Sequence, residues 1–149
     1  MMSKPFQFAF LLELAIDKRE EAARLISVAL NRQQLMRERL VQIEQYREEY
    51  RVRLTETGSR GMHIHQWNDF QLFLAKLDTA VEQQIVELQR SDVQVENAMQ
   101  HWREREKEVK AFETLLDRHN AREIRRENRW EQGASDESAT NVYRRGNER

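Results

Sequence analysis

Cysteine is absent from the chain, which excludes a disulfide framework and a thiolate site. Proline occurs once, at Pro5, and glycine only at Gly58, Gly61, Gly133 and Gly146. Residues 6–57 and 62–132 therefore contain neither helix breaker. The longest apolar run, residues 8–12, is far too short to span a bilayer. The first residues carry one Lys and no small-residue cleavage pattern after an apolar stretch, so no secretory signal is expected. A cytoplasmic location is the expectation that follows. Charge of one sign does not dominate either. The 25 basic and 26 acidic residues are intermixed and leave a net charge of −1. A nucleic-acid binder needs a basic stripe to neutralise phosphates, so this balance argues against one.

What is present favours helices. Glu, Arg, Gln and Leu dominate, and these lose little rotamer freedom in a helix. The hydrophobic share is 39% against 34% charged, which is lean for a globule and suits a thin interior between helices. Stepping alternately by three and four from Leu12 to Leu54 meets ten apolar or aromatic residues in thirteen positions. The same stepping from Trp67 to Leu116 meets twelve in fifteen. A repeat of 3.5 residues kept over this length makes two helices supercoil. Thr57-Gly58-Ser59-Arg60-Gly61 is a turn signal between them, and so short a connection requires antiparallel neighbours.

The expected fold is all-α, a long antiparallel two-helix coiled-coil hairpin over residues 1–132. Its helices are expected at about 5–57 and 63–132, with the turn at about 58–62. Partners across the seam should have residue numbers summing to about 121. Three polar seam residues, Gln33, Gln84 and Ser91, fall near one another and offer a layer that fixes register. Residues 133–149 lose the apolar period and read as a flexible tail.

Sites for chemistry are scarce. The chain has no G-x-x-x-x-G-K-S/T loop, no G-x-G-x-x-G and no H-E-x-x-H. His63 and His65 are the one close histidine pair, without cysteine or a well-placed carboxylate to complete a metal site. The carboxylates fall on outward faces, and a two-helix coil offers no enclosed pocket to tune them. Neither an enzyme nor a cofactor is expected. Five arginines, Arg118, Arg122, Arg125, Arg126 and Arg129, crowd one segment. They suit a solvated helix end or a contact for an acidic partner better than DNA, because Glu123 and Glu127 interrupt them.

Apolar surface off the seam is more informative. In heptad letters Tyr46, Phe73 and Ala80 occupy g positions, and the two g edges of an antiparallel pair lie on one side. Ile43, Tyr50 and Leu77 lie beneath that edge, and Arg39 and Gln84 border it. Apolar patches with polar rims mark interaction sites.

Residues 45–51, Gln45-Tyr46-Arg47-Glu48-Glu49-Tyr50-Arg51, stand in order before Trp67-Asn68-Asp69-Phe70-Gln71-Leu72-Phe73-Leu74. His101-Trp102-Arg103-Glu104-Arg105-Glu106 then leads toward Phe112-Glu113-Thr114-Leu115-Leu116-Asp117-Arg118, and Glu20-Glu21-Ala22-Ala23-Arg24-Leu25 stands near the start. This ordered set, over roughly residues 10–130, resembles the flagellar type III export protein family FliJ. The resemblance implies a coil similar to the shaft subunit of rotary ATPases. It implies three kinds of partner: the hexameric export ATPase FliI, the cytoplasmic domain of the export gate protein FlhA, and export chaperones. The implied place is cytoplasmic, held peripherally at the inner face of the membrane through the export apparatus. The implied gate-binding set is Arg39, Ile43, Tyr46, Tyr50, Phe73, Leu77, Ala80 and Gln84. The end where the termini meet would face the ATPase ring, and location and charge there point to Arg19, Arg118, Arg122 and Arg125. The stalk protein of a virulence type III system, or a generic coiled-coil scaffold, are the alternatives.

Overall fold

The computed structural model describes Pro5 and residues 7–147. The described chain is an all-α helical hairpin of two helices packed against each other, α1 (Ala9–Ser59) and α2 (Ile64–Asn147). Phe8 closes the first turn of α1 by accepting from the Leu12 amide at 2.9 Å. Pro5 thus lies ahead of the helix rather than inside its first turn. α1 ends where the Ser59 hydroxyl donates to the Glu56 carbonyl at 2.7 Å. The Gly61 amide then donates to the Gly58 carbonyl at 3.2 Å, and Gly61 turns the chain with φ of 92°. That left-handed conformation admits glycine at little cost. His63 starts α2 by accepting from the Trp67 amide at 3.0 Å.

The contacts divide the chain into two compact units. In Glu20–Arg103 the buried apolar residues are Ala22, Met36, Leu54, Leu77, Val81 and Val95. In the other unit, the chain up to Arg19 with that from Glu104 onward, they are Ala15 and Val109. All eight stand on the seam positions that the three-four stepping selects. Fully burying a Met, Leu or Val side chain contributes about 1.5–3 kcal/mol and an alanine methyl only about 0.8 kcal/mol, and in each unit the buried apolar side chains are those of the seam.

The pairing within each unit is antiparallel. In Glu20–Arg103 the Gln33 amide donates to Asp92 Oδ1 at 2.6 Å, and the Gln84 amide donates to the Met36 carbonyl at 3.0 Å. The numbers sum to 125 for the first pair and 120 for the second. In the terminal unit Arg19 meets Glu106 at 3.0 Å, again with a sum of 125. The three polar seam residues do not form one layer. Gln33 and Gln84 each cross to the other helix at different levels, and the buried Ser91 hydroxyl donates to its own helix at the Leu88 carbonyl.

α2 continues through Gly133 to Asn147, beyond the helix end expected at 132. Every residue from 131 to 147 is exposed. This stretch is helical through its own backbone bonds and buries no side chain.

Candidate protein-binding site

The aromatic edge of Glu20–Arg103 is built from two turns of α1 and two of α2. Tyr46 and Tyr50 are four residues apart, and Phe70 and Phe73 are three apart, so each pair shares a helix face. The rings interlock across the helices. Tyr50 lies 4.7 Å from Phe73 and 5.3 Å from Phe70, centroid to centroid. Tyr46 meets Phe73 edge to face at 6.3 Å with the planes 87° apart. That geometry places the positive ring edge against a negative face. Tyr46 and Phe73 are nevertheless 45% and 36% exposed. The rings pack against one another and stay open to solvent, which suits an anchor for a protein partner.

Burial also affects the Tyr50 phenol. Desolvation raises its pKa above the usual value of 10.0, and the Tyr46 and Asp69 charges raise it further.

The remaining residues of the implied gate-binding set are placed unequally. Ile43, Ala80 and Gln84 are half-buried and line one depression together with Val86, Glu87 and Arg90. Gln84 spends its amide on the Met36 carbonyl, so it borders the edge while tying the helices together. Leu77 is buried at 8% exposure and supports the edge from below. Arg39 is exposed. Sequence reasoning passed over Glu87 and Val86. Glu87 is the next g position after Phe73 and Ala80, so the heptad letter marks it. Val86 sits at f, which the heptad assigns to solvent, so no such signal exists for it.

The arginine set divides. Arg19 is engaged by Glu106, and both side chains are mostly covered, at 28% and 22% exposure. Arg118, Arg122 and Arg125 are exposed on α2, at least twelve residues beyond Glu106, or roughly 18 Å along a helix. Arg122 and Arg126 flank a depression whose other walls include Pro5, Phe8, Leu115 and His119. Arg19 is therefore apart from the other three.

Among the described residues, no three His, Cys, Asp or Glu side chains are grouped to hold a metal ion. No described helix is long and apolar enough to cross a membrane.

The model of the family described as "Flagellar FliJ protein" matches residues 3–148. The chain belongs to the flagellar FliJ family. A FliJ protein of Salmonella typhi is 33% identical over 129 residues, covering 87% of this chain and 88% of that protein. One of Escherichia coli K12 is 31% identical over 138 residues, covering 93% and 94%. The family match over residues 3–148 takes in the aromatic edge and the arginine segment alike. The matched names denote a flagellar component.

Proposed function

We propose that this FliJ-family chain is a coupling component of flagellar type III export. Family membership supports the export-related role. In this reading the chain binds the cytoplasmic domain of the gate protein FlhA through the edge of Tyr46, Tyr50 and Phe73. Ile43, Ala80, Arg39 and Gln84 flank that contact, and Leu77 supports it. The export ATPase FliI is bound through the terminal unit, where Arg118, Arg122 and Arg125 offer exposed cations to an acidic surface. Arg19 acts there indirectly, by its pair with Glu106. The chain also escorts export chaperones, and it reaches the membrane face only through these partners. It catalyses nothing itself and transmits between the ATPase and the gate.

The observation that carries the reading is the open aromatic cluster. A helical pair folding only for its own sake has no need of two rings that meet across the helices and stay over one-third exposed. The test is binding of purified FlhA cytoplasmic domain to the Tyr46→Ala and Phe73→Ala chains. Each is expected to keep its helical circular dichroism and lose affinity on the order of tenfold, the size of about 1.4 kcal/mol. Unchanged affinity in both overturns the assignment. For the arginine set, Arg122→Glu with Arg125→Glu is expected to abolish stimulation of the FliI ATPase while leaving gate binding intact.

A further inference from the structure

Tyr50 rests on two rings of α2, and one of them stands outside the gate-binding set. Phe73, at 4.7 Å, is open to solvent and belongs to that set. Phe70, at 5.3 Å with the planes 43° apart, is half-buried and stands three residues nearer the loop. It occupies one of the seam positions that the three-four stepping selects. Phe73 in turn meets Tyr46 edge to face at 6.3 Å. The four rings form a chain of contacts from the seam out to solvent: Phe70, Tyr50, Phe73, Tyr46.

The helices have other supports at this level. Arg47 and Arg51 on α1 both reach Asp78 Oδ1 on α2, at 3.5 and 3.7 Å. Leu54, four residues after Tyr50, and Leu77, seven after Phe70, are buried. What the Phe70 ring adds is a second wall for Tyr50. A side chain held between two neighbours has lost most of its alternative positions before a partner arrives, which lowers the entropy cost of docking. With a ringless side chain at position 70, Tyr50 gains room to tilt toward the seam. Phe73 then loses the ring it leans on, and the Tyr46–Phe73 pair loses its single arrangement.

We infer that Phe70 is a positioning residue of the docking edge. It acts on a partner only through Tyr50, which sets where Phe73 and Tyr46 stand. The consequence for binding rests on the gate-docking reading, whereas the placement of the rings does not.

The test uses the full-length chain with isotope-labelled tyrosine rings. The chain has three tyrosines, and Tyr143, 70% exposed, is the internal reference for Tyr46 and Tyr50. Phe70→Leu and Phe70→Met keep an apolar seam side chain without the ring, and Phe70→Tyr keeps the ring. Circular dichroism checks that each variant is helical. In the ringless variants the nuclear magnetic resonance signals of both Tyr50 and Tyr46 should move toward those of Tyr143, although Tyr46 is three ring contacts away. In Phe70→Tyr the Tyr46 signals should stay where the parent has them. A Phe70 that merely filled the seam would lower the denaturation midpoint and move Tyr50 alone. Unmoved Tyr46 signals in the ringless variants therefore overturn the inference.

Affinity for the FlhA cytoplasmic domain is measured beside Phe73→Ala. Where Phe73→Ala weakens binding, Phe70→Leu should weaken it by about three- to tenfold, and Phe70→Tyr should bind as the parent does. Parent affinity in Phe70→Leu then overturns the inference. Where Phe73→Ala binds as tightly as the parent, the gate-docking reading fails, and the Tyr46 signals alone decide the role of Phe70.

Discussion

Tyr46 on α1 and Phe73 on α2 meet edge to face at 6.3 Å, yet each leaves more than a third of its surface to solvent. The contact joins the two helices at their outer edge rather than in the seam. Each ring holds the other in place, so a partner meets a surface whose side-chain entropy is already largely spent. The first prediction separates this role from stability. Tyr46→Ala removes one partly exposed ring and should cost the fold about 1 kcal/mol or less in urea titration. Any effect on partner binding should be larger.

Ala22 is fully buried at 0% exposure, while its neighbour Ala23 is exposed. Ala22→Leu forces extra methylenes into a fully buried site and should destabilise by about 1–3 kcal/mol. Ala23→Leu should fall within about 0.5 kcal/mol of the parent. Denaturation midpoints of the two variants provide the comparison. Similar values would mean that the seam is not where the stepping places it.

Tyr50 gives a pH dependence. Its folded pKa is raised, first by burial and then by Tyr46 and Asp69. The native state therefore holds the phenolic proton more tightly than the unfolded chain. The stabilisation is fully present below the ordinary tyrosine pKa of 10.0 and is lost as pH rises through the higher folded value. Stability measured by urea should fall as pH rises from 10.0 through the folded value. In Tyr50→Phe this part of the fall should disappear.

Residues 131–147 are helical and wholly exposed. An isolated helix of that length is marginal in water without packing. Ending the chain after Gln132 should leave the denaturation midpoint unchanged within about 0.5 kcal/mol. Amides beyond 132 should exchange with solvent far faster than those around Val109, which is fully buried.

The seam was legible because it rests on periodicity alone. Ala15, Ala22, Met36 and Val109 stand where the three-four stepping puts them, since a 3.5-residue repeat leaves few other ways to bury them. The edge of Tyr46 and Phe73 was legible for the same reason, as both share a heptad letter. The limits are just as physical. Gln33 finding Asp92 rather than Gln84 depends on side-chain reach, which the heptad letter does not encode. Arg19 reads as a free cation until Glu106 is seen against it from the other helix. Gly58 reads as turn punctuation, whereas Gly61 makes the turn and Gly58 stays helical beside Trp67.

The central claim is that the open aromatic edge is a docking surface. Its most direct test is the affinity of the double variant Tyr46→Ala with Phe73→Ala for the FlhA cytoplasmic domain, measured by calorimetry on chains verified as helical. The account predicts that binding falls by at least about a hundredfold, the size of roughly 2.7 kcal/mol, while stimulation of the FliI ATPase persists. Affinity equal to that of the parent chain would contradict it.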